Sequence, residues 1–210
     1  MRLIFDLDGT LVDSHPGIQY ALQQAVKKLY PWLNVNTLKF KVGPPIRSMF
    51  EGVFPKVTAT ELDQLVVAFR EVYDKNAWKM TNLYQNVRET LAIFYTKGIP
   101  CYIVTNKPEM ATSRILAHLE IAQFFVSVIS PDSRQIAFQN KEQMIRHLLT
   151  QHNISPSVAV YIGDSADDLL AAESCGLEFI GVEYGYGSLP EEKNFLRVKS
   201  FTELLSVIQV

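Results

Sequence analysis

Leu3-Ile4-Phe5-Asp6-Leu7-Asp8-Gly9-Thr10 is a short apolar run that ends by delivering two carboxylates, a glycine and a hydroxyl within five residues. A strand buried on both faces reads as such an unbroken apolar run, so Asp6 and Asp8 fall where it would leave a parallel sheet. Charges at the mouth of a low-dielectric cleft need a metal, a cation or a proton, and the pair points to a cation-dependent active site. The plainer reading is an acidic turn, because Asp and Gly are ordinary turn residues.

Downstream, Asp13-Ser14-His15-Pro16 reads as a helix entry with proline in its first turn, and Ile18, Leu22, Ala25, Val26 and Leu29 recur at helical spacing. That helix should end near Tyr30-Pro31. Gly43-Pro44-Pro45 leads into a short helical segment around Ile46 to Phe50. Thr60-Glu61-Leu62-Asp63 then opens a helix whose apolar face holds Leu62, Leu65, Val66, Phe69, Val72 and Tyr73. From Val87 onward helices and strands alternate. The strands expected are 101–105, 125–129, 158–162 and 179–182; helices are expected over 88–97, 109–119, 141–152, 168–174 and 201–208. The pattern predicts an α/β fold, with a Rossmann-like parallel sheet core from residues 1–13 and 84–210 and an inserted all-helical domain over 14–83.

With 210 residues, 48% of them hydrophobic and 20% charged, the chain suffices for one sizeable core carrying an insertion. A net charge of −2 recommends neither nucleic acid nor an anionic membrane as partner. Cys101 and Cys175 stand apart without a CxxC pair, so buried free thiols and a reducing, cytoplasmic setting are expected. No apolar stretch approaches the length of a membrane span, and the apolar start is too short for a signal peptide.

Ligands of an open parallel sheet sit beyond the carboxyl ends of its strands. Three of those ends carry functional groups: Asp6-Leu7-Asp8, Thr105-Asn106-Lys107, and Gly163-Asp164-Ser165-Ala166-Asp167-Asp168. Several carboxylates with few histidines and no cysteine cluster favour a hard divalent cation, Mg²⁺ before Zn²⁺. Mg²⁺ held by one or two carboxylates completes its shell with water and phosphate oxygens, which makes a small phosphorylated metabolite the natural partner.

Asp6-Leu7-Asp8-Gly9-Thr10 resembles the first motif of the haloacid dehalogenase (HAD) superfamily of hydrolases. Thr105 resembles its second-motif hydroxyl residue, Lys141 its third-motif lysine, and Gly163-Asp164-Ser165 with Asp168 its fourth-motif acidic turn. The resemblance spans nearly the whole chain, with the helical insertion in the place of a cap. It implies that Asp6 is the nucleophile and Asp8 the general acid and base, and that Thr105 and the Asn106 backbone amide hold phosphoryl oxygens. It further implies that Lys141 neutralises charge between nucleophile and phosphoryl group. Mg²⁺ would be held by Asp6, the Asp8 backbone carbonyl and Asp164, with Asp168 orienting the shell. Were Asp164 and Asp168 both helical, their spacing would put them on one face. The residue after Lys141 is Glu142 where the family often has proline, and Lys107 is the alternative lysine. Thr105 also fits a helix N-cap.

Val42-Gly43-Pro44-Pro45-Ile46-Arg47 resembles the cap loop of phosphoglycolate phosphatase-like members, in which Arg47 would clamp a substrate carboxylate; a surface arginine is the plainer reading. Tyr184-Gly185-Tyr186-Gly187 resembles the loop after the last core strand in that subgroup, and equally suits a glycine-rich turn with packed tyrosines. His15 is expected at a helix start, and His118, His147 and His152 on the surface of helices. The expected activity is Mg²⁺-dependent hydrolysis of a small phosphomonoester, phosphoglycolate first, by a monomer or homodimer. A phosphomutase or phosphotransferase would use the same core. Dehalogenation would not need Asp8, Asp164 and Asp168; phosphonate cleavage would need a cap lysine such as Lys39 or Lys41. A non-catalytic phospho-ligand module would gain little from Asp8.

Overall fold

The computed structural model describes residues 1–208. In chain order its main elements are β1 (Arg2–Phe5), β2 (Val12–Asp13), α1 (His15–Leu29), α2 (Ile46–Val53), α3 (Ala59–Tyr73), β3 (Asn82–Leu83), α4 (Val87–Thr96), β4 (Cys101–Val104), α5 (Glu109–His118), β5 (Phe125–Ile129), α6 (Lys141–Gln151), β6 (Ala159–Gly163), α7 (Ala166–Ser174), β7 (Glu178–Val182), β8 (Leu196–Val198) and α8 (Leu204–Val207). They fall into two compact units, Met1–Asp13 with Leu83–Val210 and Ser14–Asn82.

The first unit is built on a six-stranded sheet in the order β5-β4-β1-β6-β7-β8, every pairing parallel. β1 lies in the middle, with Phe5 level with Ile103 of β4 on one side and Ile162 of β6 on the other. The chain builds outward from β1 through β4 to β5, then returns across the sheet to β6. Such a reversal opens a crevice at the carboxyl ends of the central strands, and it is there that Asp6, Thr105 and Asp164 emerge.

The sheet is covered on both faces, as unbroken apolar strands require. Ile4, Tyr102, Val104 and Tyr161 face one layer, where Met144, Ile145 and Leu148 of α6 and Leu169 and Ala172 of α7 close the core. Phe5, one position along and so on the opposite face, packs against Phe125 and Phe201 at ring separations of 6.4 and 5.7 Å. Strand β8 was not foreseen, because its three residues, Leu-Arg-Val, carry no periodic signal. The last expected helix begins as a 3₁₀ turn over Phe201–Glu203 before α8.

In the second unit α1 and α3 pack together, with α2 against α3. Leu62, Leu65, Ala68, Phe69 and Tyr73 are the buried face of α3, and Ile18, Ala21, Leu22, Ala25 and Val26 that of α1. Pro16 sits in the first turn of α1. The span from 14 to 83 is not wholly helical: residues 38–45 are irregular, and it ends in β3. Helix α3 starts one residue earlier than its sequence suggests because Thr58 and Glu61 cap it reciprocally. Replacing Thr58 with alanine removes the hydroxyl that accepts from the Glu61 N–H while leaving the backbone N–H that donates to Glu61, and thermal or denaturant unfolding should register a loss of about 1 kcal/mol.

Candidate active site

The crevice at the carboxyl ends of β1, β4 and β6 collects six of the charged groups expected from the sequence, together with Thr105. Asp6, Asp164 and Asp168 each present a carboxylate oxygen within 4.8 Å of the others, all three side chains buried. Lys141 stands among them. Its Nζ lies 2.8 Å from Asp6 Oδ1 and 2.5 Å from Asp168 Oδ1, so the first residue of α6 reaches across to the end of β1. Lys107 does not substitute for it. That ammonium, 3.0 Å from Asp8 Oδ2, serves the other carboxylate of the first motif.

Asp164 and Asp168 do not meet as neighbours on a helical face, because Asp164 precedes α7. Ser165 is the N-cap, its hydroxyl accepting from the Asp168 N–H at 3.2 Å while Asp168 Oδ2 accepts from the Ser165 N–H at 3.1 Å. This reciprocal cap turns the Asp168 side chain back toward the strand end. Its other oxygen holds Lys141 and accepts from the Tyr161 hydroxyl at 3.3 Å. Gly163 permits the fold-back, since a Cβ there would stand 2.6 Å from the Asp168 side chain. Asp167, the adjacent acid, is exposed.

Asp164 is cradled by two separate segments. The Gly187 N–H donates to its Oδ2 at 2.7 Å, and a Cβ on Gly185 would fall 2.5 Å from its side chain. From the other side Gly9, at φ +89°, brings its backbone to where a Cβ would meet Asp164 Oδ2 at 1.9 Å. The loop over 184–187 is thus both a glycine-rich turn with a packed tyrosine, Tyr184 lying 4.8 Å from Tyr84, and a hydrogen-bond donor to an acidic residue. Sequence reasoning passed over this contact, as it did Tyr161; the paired glycines and a tyrosine amid aliphatic strand residues were the available signals.

Thr105 is buried, and its hydroxyl accepts from the Lys107 N–H at 3.1 Å. It is not a helix N-cap, since α5 begins four residues later with Pro108 in that position. Asn106 is exposed. Arg47, on α2 in the helical unit, pairs with Asp63 and with Glu51, all three side chains about half exposed. His118 is exposed, but His147 on α6 and His152 just past its end are half-buried, their rings tilted against Phe138 and Tyr102 at 5.1 Å. Cys101 and Cys175 are free and buried, burial pushing the Cys101 thiol up to about 12. Among the described residues no helix is long and apolar enough to cross a membrane.

Burial first, and then the charge of Asp168, push the Asp164 carboxyl up to about 7 against the pull of the Gly187 N–H and Lys141. Burial likewise raises Asp6 well above the usual carboxylate range, with Asp168 and Asp164 adding to it and Lys141 opposing. For Lys141 burial alone would lower the value, but Asp168 and Asp6 outweigh it and hold the ammonium firmly charged. The donor set is therefore oxygen-only and short of positive charge, which fits a hard divalent cation. A buried acid with a raised pKa keeps a proton that the unfolded chain releases, so the metal-free fold loses stability as pH rises from about 4 to about 7. In chelator, the Tm should fall between pH 5 and pH 7.5, and added Mg²⁺ should raise it more at pH 7.5. A pH-independent Mg²⁺ shift would contradict this balance of charges.

Residues 3–182 match the sequence model of the haloacid dehalogenase-like hydrolases. A phosphoglycolate phosphatase of Vibrio parahaemolyticus is 30% identical over 222 residues, covering 99% of this chain and 96% of that protein. A tyrosine-protein kinase, PtkA, of Mycobacterium tuberculosis is 32% identical over 186 residues, covering 88% of this chain and 62% of the kinase. Among solved structures, a haloacid dehalogenase-like hydrolase of Streptococcus pneumoniae superposes with a TM-score of 0.86 at 25% identity, over 99% of this chain and 98% of that one. With the motifs in order along the chain, its parallel-sheet core and these likenesses, the protein belongs to the haloacid dehalogenase-like hydrolase family, as an enzyme of its phosphatase kind.

Proposed function

We propose that this enzyme is a Mg²⁺-dependent phosphatase that hydrolyses a small phosphomonoester, phosphoglycolate first among candidates, through an aspartyl phosphate on Asp6. The observation that carries the reading is the division of labour in the first motif. Asp6 lies in the buried acidic cluster against Lys141, whereas Asp8, two residues on, lies outside it against Lys107. One carboxylate is thereby set up as nucleophile and the other as proton carrier.

In the first half-reaction an Asp6 oxygen attacks phosphorus, the bond from phosphorus to the ester oxygen breaks, and Asp8 gives its proton to that departing oxygen. In the second a water gives a proton to Asp8 as it attacks phosphorus, the bond to Asp6 breaks, and inorganic phosphate leaves. Lys141 and the Thr105 hydroxyl, with the Asn106 N–H, hold the phosphoryl oxygens in a setting organised before the reaction. Asp6, Asp164 and the Asp8 carbonyl would hold Mg²⁺, Asp168 orienting them, and the ion would supply charge neutralisation for the transferring group. Tyr161 and Ser165 keep Asp168 in place for that task.

Phosphoglycolate is supported by the likeness to the Vibrio phosphoglycolate phosphatase and by Arg47, whose exposed pairs with Asp63 and Glu51 cost little to exchange for a substrate carboxylate. We assign substrate selection to the helical unit over residues 14–83, in the manner of a cap. The mycobacterial relative's name favours a second reading, in which a hydroxyl other than water accepts the phosphoryl group. Two buried free thiols suit a reducing, cytoplasmic compartment.

Phosphate release from a panel of phosphomonoesters should require Mg²⁺ and fall at least about a thousandfold in Asp6→Asn. Metal-independent turnover, or an active Asp6→Asn variant, would defeat the mechanism, and predominant transfer to a second hydroxyl would favour the transferase. For Arg47→Ala the KM for phosphoglycolate should rise about tenfold, with a smaller rise for a phosphomonoester lacking the carboxylate. Equal changes for both would remove the clamp.

A further inference from the structure

The reaction above needs one lysine, and the site holds two. Lys141 pairs with Asp6 and Asp168, while Lys107, 7% exposed, sits with its Nζ 3.0 Å from Asp8 Oδ2. Resting on the phosphatase reading, we propose that Lys107 is a positioning residue for Asp8, holding its carboxyl group in the orientation from which it gives its proton to the leaving oxygen and, as the carboxylate, takes one back from water.

Three observations support this. Lys107 is itself held at both backbone groups: its N–H donates to Thr105 Oγ1 at 3.1 Å, and its C=O accepts from Thr112 Oγ1 at 3.3 Å, in a setting where both threonines are 1% exposed. The ammonium is thus launched from a fixed point. By contrast, the Asp8 side chain is 20% exposed, and a carboxyl's terminal torsion is broad. A buried ammonium also needs a counter-charge, so each partner restrains the other. Finally, Lys141 is committed to Asp6 and Asp168 of the acidic trio, whereas the ammonium set against Asp8 is that of Lys107. A proton donor must come within about 3 Å of the atom it serves, and a misplacement of about 1 Å costs on the order of a hundredfold.

The test uses the full-length enzyme and kcat/KM, which reports the steps through departure of the leaving group. Lys107→Met should lower kcat/KM about thirtyfold for an alkyl phosphomonoester such as phosphoglycolate. For 2,4-dinitrophenyl phosphate, whose leaving group departs without a proton, the loss should be about threefold. Because the effect runs through Asp8, adding Lys107→Met to Asp8→Asn should cost no more than about twofold further. Lys107→Arg, which keeps the charge, should recover part of the alkyl-ester activity. Equal losses for the two substrates, or an undiminished loss in the Asp8→Asn background, would overturn the proposal and make Lys107 a direct substrate ligand. Wild-type protein inert toward every phosphomonoester would instead defeat the phosphatase reading. A crystal structure of Lys107→Met then decides the positioning role alone: several Asp8 rotamers support it, and one unchanged rotamer refutes it.

Discussion

Three carboxylates in a buried crevice repel one another, and the site exists because Lys141 stands among them. Its ammonium reaches two of the three acids, Asp6 and Asp168. That single cation is not enough, and the carboxyls of Asp164 and Asp6 remain raised by burial and by their neighbours. The remaining deficit of positive charge is what a divalent ion would fill. The hydrogen bonds of Tyr161, Ser165 and Gly187 then fix which oxygens are already spoken for. Stability and function pull in opposite directions here, as strained charge in a cleft commonly does.

The backbone accommodates this concentration of charge by letting side chains do what Cβ atoms would prevent. Gly9, Gly163 and the 184–187 loop approach Asp164 and Asp168 so closely that a methyl group at these positions would collide with a carboxylate. Specificity is a separate matter. Arg47 and its acid partners belong to a unit whose fold rests on α1, α2 and α3, and its exposed ion pairs contribute little to that unit's stability.

Much of this was legible in the sequence. Apolar runs at 3–5, 101–105 and 158–162 read directly as central strands, and the polar residues at their ends as one cluster, because a parallel sheet brings strand ends together whatever their separation in sequence. What could not be read was pairing at side-chain resolution. Sequence offered Lys107 and Lys141 as rivals, since nothing in spacing says which carboxylate an ammonium will reach. Asp164 and Asp168 suggested a shared helical face, but the Ser165 cap overrode it. His147 and His152 read as surface residues, but both pack inward against aromatic rings, Phe138 and Tyr102. Strand β8 is too short to announce itself.

The place of β1 in the middle of the sheet has a consequence for how the molecule comes to be. β1 precedes both of its sheet neighbours along the chain, β4 and β6, and the aspartate just after it meets Lys141 across 135 residues. The loop that donates to Asp164 is made later still. Such long-range closure makes folding slow, and an unpaired apolar strand waits while the helical unit, rich in local contacts, can gather first. Asp6 is thus made before the residues that surround it, and its setting is complete only once β6, Lys141 and the loop over 184–187 have been brought to it.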